Sequence, residues 1–347
     1  MIGLYLLIGA LALLITVLLF GFAGCNFQPG AGCDVPKLFP TYAEAVEGTS
    51  GLVAYWRLGE PDTTPLPSSG GAAKEEIGGH NGDYKVNPST AADDQRHSPA
   101  SAGQLFLGVS PGLLEQPNQS NLSCMKTDGG YTEVPWAPEL NPQQFTFEAW
   151  VQPDPLLDPR YFYCLVESTG PTFPQPRNSG WGLYLGPSDI NNPDPAGPLL
   201  WQVWMGDGTG FKRVAIANPN FPADSNGNPV SVLTLTYLAL TFDGNTGLQL
   251  FLYLPNMGQN ITHENLQTLE STTIPPMSFK PNDDPSAGKH GDFLIGVGSF
   301  LTFNPAPQRL YPFKGKIQEV ALYNKSFTDC PGILGTLAGH EVSGGNT

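Results

Sequence analysis

Phe145-Thr146-Phe147-Glu148-Ala149-Trp150-Val151 decides the fold. Side chains on a strand point alternately to opposite faces, so Phe145, Phe147, Ala149 and Val151 share one apolar face. Trp150 falls on the other face, which predicts that both sides of this strand are covered. Working outward, the same reading recurs. Gly51–Leu58 (GLVAYWRL) alternates and is rich in strand formers, and further strands are expected at Gln104–Gly108, Tyr131–Val134 and Tyr161–Glu167. Gly180–Gly186, Leu199–Met205, Phe211–Ile216, Val232–Phe242, Leu248–Leu254, Asp292–Val297 and Phe313–Tyr323 continue the series. Turn residues cluster between them at Pro65–Gly71, Asp224–Pro229 and Lys280–Gly288, and Asp243-Gly-Asn reads as a hairpin turn. Helical character is confined to Thr41–Val46 and Asp329–Glu341, and no block repeats at a fixed period. Many short strands spaced by turns predict an all-β sandwich.

Composition agrees. The 347 residues include 41 Gly and 35 Pro, while charged residues make up only 14%. That mixture suits turns and strands better than a helical bundle. Hydrophobics at 40% supply a core and exclude wholesale disorder. Lys and Arg number 16 against 31 Asp and Glu, a net charge of −15. No positive surplus exists to displace counterions from phosphates, which disfavours nucleic acid, and none is expected as a partner.

The N-terminus is separate from the β region. Ile2–Ala23 is wholly uncharged, and the first charged residue is Asp34. Its length matches a membrane-spanning helix and exceeds the h-region of a secretory signal. It ends in Phe22-Ala23-Gly24-Cys25, a form like a bacterial lipobox with Cys25 as the lipidated residue. Two readings therefore stand, an uncleaved anchor helix or a lipoprotein signal, with a buried core helix as the plain alternative. Either of the first two puts the rest of the chain outside a cell, held at its membrane. The expected organisation is an anchor or signal over 1–24, a Gly/Pro-rich stalk over 25–40 and one β domain over 41–347. The remaining cysteines are Cys33, Cys124, Cys164 and Cys330. An exported chain with four such residues is expected to form disulfides, with three connectivities open and buried free thiols as the alternative.

Four motifs in order carry a family resemblance: Gly51-Leu-Val-Ala-Tyr-Trp-Arg-Leu-Gly-Glu60, Phe145-Thr-Phe-Glu-Ala-Trp-Val-Gln-Pro153, Tyr237-Leu-Ala-Leu-Thr-Phe-Asp-Gly244 with Leu248-Gln-Leu-Phe-Leu-Tyr253, and Phe313-Lys-Gly-Lys-Ile-Gln-Glu-Val-Ala-Leu-Tyr323. The series resembles the laminin-G-like, concanavalin A-like lectin/glucanase domains of bacterial surface proteins. The resemblance covers about 43–340 and implies a jelly roll of two antiparallel sheets. Two positions depart from it: Tyr237 stands where the family often has His, and Pro255-Asn256 replaces a short turn. Related domains often bind Ca²⁺ near sheet edges, which makes Asp207 in Met205-Gly-Asp-Gly-Thr the candidate ligand for that ion.

Catalytic signatures are sparse. Glu60 and Glu319 are the carboxylates to weigh as an acid/base pair, against the plain reading that both are structural. The acidic alternating strand of the glucanases is absent. The five histidines lack metal-ligand spacing, and no Gly-x-Ser-x-Gly elbow or phosphate-cradling loop occurs. Asp224–Asn228 has oxygen ligands at alternating positions but no closing Glu, so an ordinary turn is the expectation. Carbohydrate binding needs aromatic faces together with hydrogen-bonding side chains. Trp181, Tyr184, Trp201, Gln202, Trp204 and Asp207 concentrate both in one hairpin-like stretch. Trp201 and Trp204 have opposite parity, so one faces the core and the other outward, with the plain alternative that loops cover both sheet faces and bury both tryptophans. The expected function is a non-catalytic, membrane-anchored binding or adhesion module facing a glycan. A structural or protein-interaction role, and a glycan hydrolase or lyase, are the alternatives.

Overall fold

The alternation at 145–151 ends in two stacked antiparallel sheets in the computed structural model, which describes residues 41–61, 71–86, 104–114, 123–170, 178–187, 194, 199–216, 235–245, 247–253, 278–286, 290–300 and 308–327. The hydrophobic segment at 2–23, Cys25, Cys33, Cys330, Asp224–Asn228 and Asp329–Glu341 lie outside these residues. Among the described residues no helix is long and apolar enough to cross a membrane.

The first sheet runs in the order β13 (Gly247–Tyr253), β12 (Thr236–Asp243), β7 (Phe145–Pro153), β17 (Lys314–Tyr323), β5 (Cys124–Asp128) and β4 (Gln104–Val109), and β1 (Leu52–Trp56) also pairs with β17. The second runs β11 (Phe211–Ile216), β10 (Leu199–Gly206), β9 (Gly180–Pro187), β8 (Tyr163–Thr169), β14 (Phe293–Ile295), β6 (Gly130–Val134), β3 (Gly82–Val86) and β2 (Ala72–Ala73). A two-stranded hairpin, β15 (Gly298–Phe300) with β16 (Gln308–Leu310), lies against the outer side of β8, where Gly298 meets the Glu167 side chain. All described pairings between the named strands are antiparallel, which gives a β-sandwich.

Phe145, Phe147, Ala149 and Val151 face the second sheet, as their period of two requires. They meet Trp181, Leu183, Trp201, Val203 and Phe293 from the opposite layer. Phe145 stacks on Trp181 at 4.7 Å between centroids, and Trp56 stacks on Phe293 at 5.4 Å. Each fully buried aromatic or aliphatic side chain here contributes about 1.5–3 kcal/mol.

The other face of the first sheet is also covered. Trp150, Tyr237, Ala239 and Tyr323 form a second apolar cluster with α1 (Tyr42–Gly48) and Leu113–Leu114. Thr41 starts α1 by accepting the Glu44 N–H at 3.2 Å, and Tyr42, Ala45 and Val46 are its buried residues.

The expected disulfides are corrected at the two described cysteines. Cys124 and Cys164 are both free and buried, on strands of different sheets. Burial pushes the Cys124 thiol up to about 11, against the pull of Lys316 and Lys126. Both behave as small apolar residues.

Candidate functional site

The stretch 181–207 forms the hairpin β9–β10, and its pairing fixes which side chains leave the core. Trp201 pairs with Leu185, Val203 with Leu183 and Met205 with Trp181, and all six lie in the inter-sheet core. Trp181 and Trp201 are each only 1% exposed. This corrects the expectation that they contact a ligand, since both are spent on packing the two sheets together. The alternate positions Gly182, Tyr184, Gly186, Gln202 and Trp204 turn to the outer face. Of the six tryptophans, Trp204 is therefore the one this hairpin presents outward, and it is half-buried.

Trp204 stands edge-on to Tyr184 at 6.2 Å and to Phe162 at 6.3 Å. Tyr311 completes the group, 5.8 Å from Tyr184 and 6.1 Å from Phe162. Edge-to-face pairs of this kind stabilise by about 0.5–1.5 kcal/mol beyond burial. Glycines make the platform possible. A Cβ on Gly186 would sit 2.4 Å from a Phe162 ring carbon, and one on Gly182 2.7 Å from the Tyr184 ring. Gly186→Ala is expected to push Phe162 out of the group and to cost about 1–3 kcal/mol as overpacking. Thermal denaturation checks the stability, and near-UV circular dichroism reads the lost aromatic packing.

Polar groups rim the aromatics. The Tyr184 hydroxyl donates to Glu167, whose other oxygen accepts from Thr169 at 2.6 Å. Burial first, and then Cys164 and Glu167, push the Tyr184 phenol far above its ordinary range, so it stays a donor. Arg213 Nε donates to Gln202 at 2.5 Å, and the Arg213 and Gln202 nitrogens both donate to the Pro187 carbonyl, at 2.9 and 2.7 Å. Sequence reading did not single out Phe162, Glu167, Arg213 or Tyr311. They come from β8 and the residue just before it, from β11 and from the β16–β17 connection, and strand pairing brings them around Tyr184 and Trp204.

Asp207 is placed differently from its expected role. One of its oxygens accepts from Thr209 N at 2.8 Å, Thr209 Oγ1 at 2.6 Å and Gly210 N at 2.9 Å. These donors, Thr209 first, hold its carboxyl far below the ordinary range. Lys212 lies 3.5 Å from the other oxygen. The carboxylate thus caps the turn after β10, with donor hydrogens and an ammonium where a Ca²⁺ would need open oxygens. Among the described residues no group of three His, Cys, Asp or Glu could hold a metal ion.

A second feature lies on the first sheet. Arg57, Gly59, Glu60, Lys74, Glu76, Ser123, Gln318 and Glu319 line a cavity of about 180 Å³. The structure brings Glu60 and Glu319 to this one cavity. Glu319 is 1% exposed and has φ of 55°, a left-handed conformation that costs a non-glycine residue about 1–2 kcal/mol. Arg57 grips one of its oxygens through Nε at 3.2 Å and Nη2 at 3.1 Å, and the Tyr55 hydroxyl donates to the other. Burial pushes the Glu319 carboxyl up, against the pull of Arg57 and Tyr55. Glu60 accepts from Lys74 N at 2.7 Å and from the Tyr84 hydroxyl.

No family model and no curated protein matches the chain. Solved structures do. A Trypanosoma rangeli sialidase in complex with 2,3-difluorosialic acid aligns at 14% identity and a TM-score of 0.39, over 86% of this chain and 34% of that one. The CBM40 of a Ruminococcus gnavus IT-sialidase, bound to α2,3-sialyllactose, aligns at 16% identity and a TM-score of 0.34, over 56% of this chain and 83% of the other. Domain 4 of AbnA, a GH43 extracellular arabinanase from Geobacillus stearothermophilus in complex with arabinotriose, aligns at 16% identity and a TM-score of 0.33, over 74% and 98%. The chain spans about a third of the sialidase's length. At these identities and scores nothing is carried over from any of the three to this chain.

Proposed function

We propose that this chain is a non-catalytic, membrane-anchored surface module of the laminin-G-like type that binds carbohydrate on the outer face of its second sheet. The observation that carries the reading is the pair Tyr184 and Trp204, which are half-buried on one outer face at 6.2 Å and 63° to each other. Aromatic faces pack against the C–H faces of sugar rings, while neighbouring polar groups meet the hydroxyls. Arg213, partly exposed on β11 across from Trp204, is the polar side chain beside that pair, while the buried Glu167 anchors the Tyr184 hydroxyl from beneath. The four resembling motifs fall on β1, β7, β12 with β13, and β17, where they build the sandwich and leave the binding face to other residues. Anchoring rests on the uncharged stretch Ile2–Ala23, with Cys25 as the lipid attachment point in the lipoprotein form.

The non-catalytic part of the reading rests on how the buried carboxylates are used. Glu148 is held by two tyrosines, Glu167 by Tyr184 and Thr169, and Glu319 by Arg57 and Tyr55. A glycan array probed with the full-length protein, with and without Ca²⁺, tests the proposal. Binding of an oligosaccharide class that is indifferent to Ca²⁺ is expected. Silence across the array, together with concentration-dependent self-association, would replace it with a structural role.

A further inference from the structure

We infer that the cavity at Arg57 and Glu319 is a second binding site, independent of the aromatic face, which takes one neutral or amino-bearing hydroxylated six-membered ring, a single monosaccharide unit. The topology makes the notch. β5 pairs with β17 over Lys314–Ile317, and β1 pairs with it over Val320–Tyr323. β7 occupies the opposite edge of β17 through both stretches. β5 and β1 therefore share one edge, and Gln318 and Glu319 fall at the break between them. There the chain bulges, the register to β7 shifts between Gln318 and Ala321, and the Glu319 N–H is satisfied by the Arg57 carbonyl at 3.1 Å.

Size and chemistry select the ligand. A cavity of about 180 Å³ is comparable to the roughly 150 Å³ void that admits a benzene ring, and it opens to solvent past Arg57 and Lys74, so it receives part of one bulkier hydroxylated ring and has no room for a second. Its lining mixes charged and polar groups with the carbon stems of the same side chains, where that void is wholly apolar. Arg57 keeps a third of its side chain exposed, and Lys74, 67% exposed, pairs with Glu76 at 2.9 Å through one of its three hydrogens. Glu76 and Ser123 add acceptors, the latter with its hydroxyl hydrogen committed to the Gly59 carbonyl at 2.7 Å. Donors and acceptors of this kind around one small opening match vicinal hydroxyls, each of which both donates and accepts. The lining holds three carboxylates against two cations, in a chain of net charge −15, which disfavours an anionic ring.

The test uses full-length protein, and glucose, galactose, mannose, glucosamine and glucuronate as free ligands, read by saturation-transfer NMR and by titration. The variant is Lys74→Ala with Glu76→Gln, a pair at the rim whose loss leaves both sheets intact. At least one neutral or amino sugar is expected to bind in the millimolar range. The double variant is expected to weaken it tenfold or more, Trp204→Ala to leave it unchanged, and glucuronate to bind at least fivefold less well. The proposal is overturned if none of the five binds, if binding survives the double variant, if Trp204→Ala abolishes it, or if glucuronate binds best. Oligosaccharide binding lost only in Trp204→Ala would leave the aromatic face standing while this site fell.

Discussion

Arg57→Ala is expected to lower the melting temperature by about 6–12 °C, from a loss of about 3 kcal/mol. Glu319 is buried at a bulge, and its carboxylate relies on two Arg57 nitrogens at 3.1–3.2 Å. Removing the guanidinium leaves a buried charge with only Tyr55 and Gln318 as donors. The lower end of the usual range for such losses applies because a third of the Arg57 side chain meets solvent. Arg57→Lys keeps the charge but not the two-pronged grip, so an intermediate loss is expected. Arg57→Ala combined with Glu319→Gln removes the orphaned charge and is expected to be more stable than Arg57→Ala alone. An Arg57→Ala protein melting within 1 °C of the parent would show that the pair is dispensable.

Glu148 is expected to make the protein more stable at pH 5 than at pH 8. It is fully buried on β7, accepts from the Tyr323 hydroxyl at 2.6 Å and from the Tyr237 hydroxyl, and has Tyr42 beside it. Burial pushes its carboxyl up to about 7, more than the tyrosines pull it down. A raised carboxyl value means that the folded state holds a proton that the unfolded chain, with an ordinary value near 4.5, has released. The stabilisation is therefore complete below about pH 4.5 and is lost as pH rises through about 7, on the order of 3 kcal/mol in all. Glu133 and Asp158 act in the opposite sense. Hydrogen bonds from Lys85 and Arg309 outweigh burial at Glu133 and hold its carboxyl below the ordinary range, and Arg160 does the same at Asp158, so their contribution disappears in stronger acid. The melting temperature should peak in weak acid. Glu148→Gln keeps an acceptor and a donor among the tyrosines and should flatten the decline between pH 5 and pH 8. A decline equally steep in Glu148→Gln would place its cause elsewhere.

The strands that build the core were legible where burial is two-sided and the run is long. Phe145–Val151 lies in the first sheet at the expected parity, and Tyr237–Phe242, within the strand expected over Val232–Phe242, pairs beside it with Leu238, Leu240 and Phe242 in the inter-sheet core. β3 and β5 were not legible. Gly82-Asp-Tyr-Lys-Val and Cys124-Met-Lys-Thr-Asp are short and charged, and they become strands because β6 and β17 offer them hydrogen-bond partners. The candidate site was half legible for a similar reason. The three-residue spacing of Trp201 and Trp204 puts them on opposite faces, but only the facing sheet decides that Trp201 goes inward. Asp207 offered the right atom for a cation, and its own turn claims it through Thr209 and Gly210. Nothing local marks Glu319 as left-handed, or Tyr42, Tyr237 and Tyr323 as a cage for Glu148. The first follows from two strands meeting on one edge, and the second from segments more than 80 residues apart converging.

The most direct test of carbohydrate binding at the outer face is the affinity of full-length protein and of Trp204→Ala for the strongest oligosaccharide found on the array, titrated side by side with their melting temperatures. A central aromatic in a binding surface typically carries 2 kcal/mol or more, so a loss of about 30-fold in affinity is predicted, with a cooperative melt that falls by only several degrees, because Trp204 gives up its edge contacts with Tyr184 and Phe162 but lies outside the inter-sheet core. Equal affinity in the two proteins would contradict the assignment of the binding face.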